Sequence, residues 1–435
     1  MNKHDTERII GTLEGLGALQ VETYEDADIV IFMTCCVREA ADIRLMGQVA
    51  SLKNLALRKN TPLSKRLIAV GGCIGQRDGA ILTEKLPHLD VVFGTYNLKS
   101  LPRLLEKAMA EGGYQIEVLE KSDDFPTELP ITREHDWAAW LPIMIGCNNF
   151  CSFCIVPHVR GREKSRPLED IIDEARDYVG AGVKEITLLG QNVNSYGRDL
   201  YGEPRFAEVL KEIDNIGLER LRFATSHPKD ITDEVIEAFG ALPSLMPAMH
   251  LPIQSGSDRI LKDMNRRYTK EHYLKIVKKL RTACPDIALS TDIIVGFPGE
   301  TEEDFMETYR VVEEVGYTQV FTFLYSKREG TPAASMVDDT PAEIIQERFE
   351  RLVALVQKKA YEQNQKDRNS VVDVLVEGLS KRNSNILSGK SPKNQTVHFP
   401  KPSHVSSDDL VGQIVRVKVD TAKTWYLSGS MIEEG

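Results

Sequence analysis

Three cysteines in one short run are the residues of this chain best suited to metal chemistry. Cys147, Cys151 and Cys154 lie in the sequence GCNNFCSFC, with the spacing C-x3-C-x2-C. Three thiolates can bind three of the four irons of a [4Fe–4S] cluster, which usually takes a fourth cysteine. The fourth iron would then be free to bind a substrate. Two other interpretations are buried structural thiols and a zinc site, for which His158 is the nearby candidate for a fourth ligand.

A second pair of cysteines, Cys35 and Cys73, follows two predicted strands. Cysteines at the ends of neighbouring parallel strands would lie close together, and the glycines around Cys73 would let the backbone approach a bulky ligand. Buried apolar cysteines are equally compatible with this pattern. Cys36 is expected to point away from Cys35, because successive strand side chains alternate between faces. Cys284 is interpreted as structural.

The first cysteine run resembles a known signature. C-x3-C-x-aromatic-C, with Phe153 in the aromatic position, is typical of the radical S-adenosylmethionine (SAM) enzymes. The longer run MIGCNNFCSFCIVPHVRGREKSRP is similar to that of the methylthiotransferases in this superfamily, and most similar to their tRNA-modifying MiaB branch. The runs LLGQNVNSYG, TSHPKDITDEVIEA, HLPIQSGSDRIL and DIIVGFPGETEEDF extend the resemblance over nearly the whole chain.

The resemblance implies that the cysteine run works on SAM. In these enzymes the open iron chelates the amino and carboxylate groups of SAM, and electron transfer from the cluster splits the sulfonium to give a 5′-deoxyadenosyl radical. His250 is interpreted as a core histidine as readily as a site residue. The residues expected to contact SAM are Phe153, Gly190, Gln191, Ser290, Asp292 and Gly296.

The resemblance also implies an auxiliary [4Fe–4S] cluster, held by three cysteines of the amino-terminal domain and implicated in sulfur delivery. Cys35 and Cys73 match two of them. The third belongs to a Gly-Cys-x-Met-Asn run, and this sequence starts at the Met-Asn of that run, Met1 and Asn2. The favoured interpretation is a misplaced start codon and a longer protein. The other is an auxiliary site with two family ligands, beside which Cys36 is an extra thiol.

Alternating strand and helix patterns predict an α/β fold with three domains. Short apolar strands alternating with helices over residues 1–113 predict a parallel sheet. Six predicted strands over 137–340 favour a partial (β/α)6 barrel, whose chemistry would lie at the carboxyl ends of its strands. A linker helix over 341–367 leads to short alternating strands over 368–432, which predict a small β-barrel. By resemblance this barrel is a TRAM RNA-binding domain.

Some elements are predicted within narrower limits. One helix is expected from about Val37 to Leu57 and another from about Gln76 to Leu86. The segment from about Glu111 to Asp136 is expected to be a linker without strands. The last domain is expected to have four strands, of which the first is Val371 to Val376.

The charge distribution bears on nucleic-acid binding. The net charge of −11 over 435 residues argues mildly against a nucleic-acid partner. Residues 368–432, however, carry nine Lys and Arg against five Asp and Glu, and a second basic cluster follows the cysteine run. Solvated loop charges are one interpretation of that cluster, but its position directly after the cysteine run favours contact with substrate phosphates. The residues expected to contact substrate RNA are Arg160, Arg162, Lys390 and Lys393.

Composition favours a cytoplasmic protein without a membrane segment. The sequence has seven cysteines, no apolar leader and no apolar run long enough to cross a bilayer. By resemblance, the expected reaction is methylthiolation at C2 of N6-isopentenyladenosine beside the tRNA anticodon, with one SAM as methyl donor and another as radical source. The expected partners are the tRNA anticodon loop, a low-potential electron donor and a sulfur source, and the chain is expected to be a monomer.

Two alternatives to this function are considered. One is a sister methylthiotransferase that modifies threonylcarbamoyladenosine in tRNA or an aspartate of a ribosomal protein. The other is an RNA-binding pseudoenzyme whose auxiliary cluster is defective, although the intact C-x3-C-x2-C run disfavours it.

Overall fold

The computed structural model describes residues 1–36, 39–59, 66–120, 125, 129–402 and 405–432. The predicted helix start at Val37 lies outside these residues. The chain forms two compact units. The first unit comprises Met1–Glu134, Ile145–Phe150 and Cys154–Arg166, and the second comprises His135–Met144, Cys151–Phe153 and Pro167–Gly435.

Strands and helices alternate through most of the chain. The elements from the amino terminus to the cysteine run and the segment after it are α1 (Asn2–Glu14), β1 (Ile29–Thr34), α2 (Glu39–Lys59), β2 (Leu67–Gly72), α3 (Cys73–Asp78), α4 (Ile81–Lys85), β3 (Val91–Phe93), α5 (Leu101–Glu111), β4 (Gln115–Glu117), β5 (Ala138–Pro142), β6 (Met144–Ile145), α6 (Val156–Arg160) and β7 (Lys164–Ser165). The elements that follow are α7 (Leu168–Gly180), β8 (Glu185–Leu189), α8 (Arg198–Tyr201), α9 (Phe206–Asn215), β9 (Arg220–Phe223), α10 (Asp233–Ala241), β10 (Ala248–His250), α11 (Asp258–Asp263), α12 (Lys270–Ala283), β11 (Ala288–Val295), α13 (Glu302–Val315), β12 (Gln319–Leu324), α14 (Ala342–Gln365), β13 (Val371–Ser380), β14 (Asn383–Lys390), β15 (Thr396–Pro400), α15 (Ser407–Leu410), β16 (Ile414–Ala422) and β17 (Tyr426–Met431).

The first unit is built on a four-stranded parallel sheet in the order β1-β2-β3-β4. The run LIAVGG of β2 is apolar throughout because helices cover both faces of the sheet. One face packs against α2 and α3 and the other against α1 and α5. Thr34, the last residue of β1, pairs with Gly72, the last residue of β2. Cys35 and Cys73 therefore follow two strand ends at the same edge of the sheet.

Two predictions for this unit are wrong in detail. β4 lies in the segment predicted as a linker, and it extends the sheet by pairing Gln115 with Val91 of β3. The helix predicted from Gln76 to Leu86 is two short helices, α3 and α4, separated at Gly79. Gly79 has φ +47°, which a right-handed helix cannot accommodate.

The glycines around Cys73 make room for a neighbouring strand. A Cβ atom at Gly71 would lie 2.0 Å from Cζ of Phe93, and one at Gly75 would lie 2.4 Å from the Phe93 carbonyl oxygen. The space that the sequence assigned to a bulky ligand is therefore occupied by β3. The reason predicted for these glycines is therefore wrong. The predicted position of Cys73 at the end of β2 is unaffected.

The barrel strands of the second unit form two three-stranded parallel sheets, β5-β8-β9 and β10-β11-β12. A parallel bridge between Leu221 and Leu245 connects β9 to the residues before β10. Side chains alternate along β11: Thr291 and Ile293 are buried, whereas Ser290 and Asp292 are half-buried. The alternation follows from the period of two in a strand, which points successive side chains to opposite faces. One face of β11 therefore packs in the core, and the other face carries Ser290 and Asp292.

The last 60 or so residues form a closed five-stranded barrel in the order β13-β14-β15-β17-β16. β15 and β17 are parallel, and the other neighbours are antiparallel. This is the strand order of an OB-fold. The prediction of four strands is wrong, because β14 was missed. The predicted fold class is confirmed: parallel-sheet α/β units are followed by a small β-barrel.

Two arginines of β9 attach this barrel to the rest of the second unit. Arg220 donates hydrogen bonds of 2.9 Å to the carbonyl oxygens of Lys390 and of Asp373. Arg222 donates to two carbonyl oxygens of the turn after β14, at 2.9 and 3.0 Å, and to the Glu185 carboxylate at 2.9 Å. Both side chains are largely buried, so each bond replaces one that water cannot supply.

We expect Arg220→Ala to loosen the C-terminal barrel. The substitution removes the Arg220 donor from two partly buried carbonyls, at a cost of about 2–4 kcal/mol. Hydrogen exchange of the full chain would show faster exchange in residues 390–396. Arg176→Ala is the matched control, because Arg176 is exposed and pairs with Asp173 on the same helix. Unchanged protection in Arg220→Ala would contradict the role assigned to the arginine.

Candidate iron–sulfur and S-adenosylmethionine sites

The first cysteine run lies between β6 and α6, and its ends are fixed by the backbone. In the first unit, the Cys147 N–H donates to the Gly161 carbonyl oxygen at 3.1 Å. Gly146 has φ +76°, and a Cβ there would lie 1.9 Å from the Arg162 carbonyl oxygen. Only glycine fits at this approach. The position of Cys147 therefore depends on a glycine that precedes it directly.

In the second unit, Cys151 lies beside a buried arginine. Arg266 donates to the Cys151 sulfur at 3.5 Å, and also to the Tyr268 hydroxyl and the Pro252 carbonyl oxygen. The next residue, Ser152, is bonded to the end of α11: its N–H and hydroxyl donate to two consecutive backbone carbonyls. Arg266 is therefore placed to donate a hydrogen bond to a sulfur ligand of a metal.

The donor chemistry of the run fits an iron–sulfur cluster. None of these three cysteines is in a disulfide, and soft thiolates are the ligands that such clusters use. In the described part of the chain, no group of three or more His, Cys, Asp or Glu side chains is arranged around a metal position. The choice between zinc and an iron–sulfur cluster therefore depends on the donor chemistry of the thiolates and on the family of the chain.

The second cysteine site is a buried pair in the first unit. Cys36 and Cys73 are hydrogen-bonded and nearly inaccessible, whereas Cys35 is half-buried. The expectation that Cys36 points away is wrong, because β1 ends at Thr34 and the strand alternation does not continue to residue 36. The hydrogen bond with Cys36 lowers the pKa of Cys73 to about 6, with help from Arg160 and against the effect of burial. The same bond and burial raise the pKa of Cys36 far above its usual range.

Arg160 is buried in this same site. Its guanidinium donates to the Asn2 side chain at 2.8 Å, pairs with Asp5 at 3.1 Å and bonds to Cys73. Only 7% of the residue is exposed. The prediction that Arg160 contacts RNA phosphate is therefore not supported, because its charge is already neutralised inside the protein. Arg162 is exposed, with its guanidinium 4.2 Å from the centre of the Phe150 ring, and remains an RNA candidate.

Two of the predicted SAM residues are connected by a histidine in the second unit. His250 lies between the Ser290 hydroxyl, 3.0 Å from Nδ1, and the Asp292 carboxylate, 3.3 Å from Nε2. His250 is half-buried and its ring stands edge-on to Phe321. It therefore belongs to the polar interior of the strands and not to the apolar core. Half-buried donors and acceptors of this kind suit a polar cofactor such as SAM.

The other predicted SAM residues lie elsewhere in the second unit. Gly190 follows β8 directly, and a Cβ there would lie 2.6 Å from Cγ of Met144. Gln191 is half-buried beside it. Phe153 packs against the small apolar cluster that includes Phe297. The Gly296 N–H donates to the Glu300 carboxylate at 2.9 Å. Their assignment to SAM stays a prediction.

Lys390 and Lys393 are half-buried. Both line a cavity of about 380 Å³ whose other walls include His250 and Ser290. Lys390 donates to the Thr396 hydroxyl at 3.0 Å, and Lys393 pairs with a buried carboxylate at 2.8 Å. The Lys393 amine is thus already paired with an acid, and the assignment of both lysines to RNA stays a prediction.

Comparisons with known proteins identify the family. The radical SAM superfamily model matches residues 141–312, the uncharacterized protein family UPF0004 matches 1–94, and the TRAM domain matches 365–432. A tRNA-2-methylthio-N(6)-dimethylallyladenosine synthase of Thermoanaerobacter sp. (strain X514) is 47% identical over 436 residues, covering 100% of this chain and 91% of that protein. The protein of the same name from Carboxydothermus hydrogenoformans is 45% identical, covering 99% and 97%.

This chain belongs to the tRNA-2-methylthio-N(6)-dimethylallyladenosine synthase family. Among solved structures, a radical SAM methyltransferase, TsrM, from Kitasatospora setae, with cobalamin and a [4Fe–4S] cluster bound, has a TM-score of 0.51. It is 15% identical over 70% of this chain and 65% of that chain, so the similarity concerns the fold alone. No helix among the described residues combines the length and apolar character needed to span a bilayer.

The family models coincide with the sites. The radical SAM match includes all three cysteines of the C-x3-C-x2-C run, which favours an iron–sulfur cluster over zinc or structural thiols. The UPF0004 match includes the Cys36–Cys73 pair, and the TRAM match covers the closed five-stranded barrel. Sequence reasoning missed Arg266, since nothing in its local sequence separates it from the neighbouring Arg267 and its partner Cys151 is 115 residues away.

We expect Arg266→Gln to weaken iron binding at the first cysteine run. Removing an outer partner of a metal ligand typically costs 10- to 100-fold in affinity or activity. Iron content after anaerobic reconstitution and the rate of 5′-deoxyadenosine formation are the measurements. Arg267→Gln is the matched control, because Arg267 is the exposed neighbour. Equal iron content and equal rates in the two variants would show that the Arg266–Cys151 contact has no such role.

Substitutions of Arg160 and Arg162 are expected to have different effects on stability and on tRNA binding. Arg160→Ala leaves Asp5 buried without its cation, which should destabilise the first unit by about 3–5 kcal/mol. Arg162→Ala should leave stability unchanged and reduce the slope of log tRNA affinity against log salt by about 0.7–1. Calorimetry measures the stability of the two variants, and binding titrations measure their affinity for tRNA. A stable Arg160→Ala variant with weakened tRNA binding would reverse the assignment.

The destabilisation by Arg160→Ala should depend on pH. Burial favours the protonated form of Asp5, but Arg160 and His4 hold the pKa of that carboxyl well below its usual range. The pair therefore stabilises the folded chain above the unfolded carboxyl pKa of about 4, and this contribution decreases as the pH falls below it. The difference in Tm between the native chain and Arg160→Ala should shrink accordingly in acid.

Proposed function

We propose that this chain catalyses the methylthiolation of C2 of N6-isopentenyladenosine next to the tRNA anticodon. The observation that carries the proposal is its 45–47% identity, over nearly the whole chain, to curated relatives named for that product. The sister branches and the pseudoenzyme are not favoured, since these relatives span all three family models and the cysteine run is intact.

The enzyme uses SAM and an iron–sulfur cluster, in keeping with its radical SAM family. Together these groups supply a one-electron cleavage of the SAM sulfonium, which can remove hydrogen from a carbon that no ordinary base deprotonates. The cluster ligands proposed are Cys147, Cys151 and Cys154. Arg266 donates a hydrogen bond to the Cys151 sulfur, and Ser152 fixes the backbone beside Cys151.

A second cluster is proposed at the sheet edge of the first unit, with Cys35 and Cys73 as ligands. The support is their common position after β1 and β2, the lowered pKa of Cys73 and the buried guanidinium beside it. Arg160 there would balance the negative charge of the thiolates. For SAM, we propose contacts with Ser290 and Asp292, whose side chains His250 holds toward the polar interior.

The proposed partners follow from the chemistry. The TRAM barrel and the tRNA-modifying relatives support tRNA as the partner. The target base lies in a single-stranded loop, where proteins can reach unstacked bases. The reaction also needs a low-potential electron donor and a sulfur source, and the chain is proposed to act as a monomer.

The proposal is tested by an anaerobic assay of the full chain. The chain would be reconstituted with iron and sulfide, then given dithionite, SAM and isopentenylated tRNA, and the nucleosides read by mass spectrometry. We expect 2-methylthio-N6-isopentenyladenosine together with 5′-deoxyadenosine. Cys154→Ala should abolish both products. Cys284→Ala should abolish neither, because Cys284 lies at the end of α12, outside both cysteine sites.

The other outcomes separate the alternatives. If 5′-deoxyadenosine forms without the methylthio nucleoside, the substrate or the sulfur delivery is wrong. If threonylcarbamoyladenosine tRNA or a ribosomal protein is modified in parallel assays instead, the chain belongs functionally to a sister branch. If neither product forms with a fully loaded cluster, the pseudoenzyme interpretation replaces the proposal.

A further inference from the structure

The cavity of about 380 Å³ in the second unit lies between the parallel strands and the C-terminal barrel. Its walls include the first residues of β10, β11 and β12, the turn after β14 and one residue of α14. The side chains of Ala288, Ser290 and Asp292 point to one face of β11, and the first two line the cavity whereas Asp292 does not. The cavity is therefore at the amino-terminal end of this face. Of the two SAM contacts proposed on β11, it includes Ser290 alone.

The charges of the lining favour an anionic ligand. Among the described residues that line the cavity, Arg222, Lys390 and Lys393 are cationic and none is acidic, although the chain carries a net charge of −11. Arg222 and Lys393 are each paired with an acid outside the lining. The Lys390 amine donates to the Thr396 hydroxyl at 3.0 Å and is in no ion pair within the part of the chain that the structure describes. Glu377, whose pKa burial raises and Lys390 lowers, is not part of the lining. Lys390 can therefore pair with an anionic group of a ligand.

The lining also contains an exposed aromatic side chain. Trp425, directly before β17, is 53% exposed. The side-chain amides of Gln319 and Asn394 belong to exposed residues of the same lining. An indole can stack on a planar ring, and amides can both donate and accept hydrogen bonds at the polar edge of a ring or at sugar hydroxyls. The cavity therefore offers a ring contact, polar contacts and one cation.

The size of the cavity limits what it can hold. Pockets for small molecules usually have volumes of about 300–1,000 Å³, so a cavity of about 380 Å³ admits a molecule of mononucleotide size and little more. Its walls come from the parallel strands, from α14 and from the C-terminal barrel. Walls on several sides favour a compact free molecule, because a continuous RNA chain would have to enter and leave the cavity.

We propose that this cavity binds a free small molecule of the nucleoside monophosphate class, with its planar ring against Trp425 and its phosphate against Lys390. A lysine ammonium pairs with phosphate as a point charge, without the fixed geometry that an arginine requires. The proposal goes beyond the methylthiolation proposed above and does not depend on it. It gives the chain a ligand site whose lining contains no cysteine among the described residues.

The test is equilibrium dialysis of labelled AMP against the full chain, reconstituted with iron and sulfide and held with saturating SAM in the absence of reductant. Saturating SAM keeps AMP out of the SAM site, so the measurement reports a second site. Binding should be about 10-fold weaker to Lys390→Ala and about 5- to 100-fold weaker to Trp425→Ala. Trp425→Phe should restore most of the affinity. The matched controls are Lys418→Ala and Tyr361→Ala, an exposed lysine of β16 and an exposed tyrosine of α14, neither of which lines the cavity.

Adenosine separates a phosphate contact from a general disturbance of the cavity. Because adenosine has no phosphate, it should bind more weakly than AMP and should not distinguish the native chain from Lys390→Ala. Equal losses of AMP and adenosine affinity in Lys390→Ala would overturn the proposal. Displacement of AMP by more SAM would assign AMP to the SAM site, and displacement by tRNA would assign the cavity to RNA; either result overturns it, as does AMP binding weaker than about 1 mM. Binding is read without turnover, so a chain that binds AMP through Lys390 but forms no methylthio nucleoside contradicts only the proposed function.

Discussion

A buried arginine held against a buried cysteine is the interaction on which each unit's candidate site depends. In the first unit Arg160 contacts Cys73, and in the second Arg266 contacts Cys151. Burying a guanidinium is costly unless each of its N–H groups and its charge are satisfied. Asp5 and Asn2 complete the surroundings of Arg160, and Tyr268 and Pro252 complete those of Arg266. The cations beside the two sulfurs are thus held by the fold itself, before any metal binds.

The parallel sheets bring polar and metal-binding residues together at the ends of their strands. Parallel strands place their carboxyl ends at one edge, so polar or metal-binding residues can follow apolar strands without interrupting them. Within β11, buried side chains alternate with polar ones. The buried side chains pack in the core, whereas Ser290 and Asp292 contact His250 on the other face of the strand. Arg220 and Arg222 of β9 donate hydrogen bonds to the end of β14 and to the turn after it. The C-terminal barrel and the parallel sheets of the second unit are therefore packed together.

How much the sequence could predict depended on the range of the interactions. β11 and β12 were located to the residue because their apolar runs are long and local. β4 and β14, with the sequences QIE and NSNILSGK, have too few apolar residues to give a strand signal, and pairing with neighbours stabilises them. The burial of Arg160 depends on Asp5, 155 residues away, and the position of Lys390 depends on how two modules pack. Contacts of that range leave no local pattern in a sequence.

The acidic character of the chain does not conflict with an RNA substrate. Charges in water are screened beyond about 8 Å at physiological ionic strength, so a phosphate responds to the groups beside it and hardly to a net charge of −11. What matters is which cations remain unpaired. Arg160 and Lys393 are paired with acids inside the protein, whereas Arg162 is exposed. Counting basic residues overestimated the first group, because a sequence gives the number of charges but not their partners. A few exposed cations can therefore attract RNA phosphates to a chain whose net charge is negative.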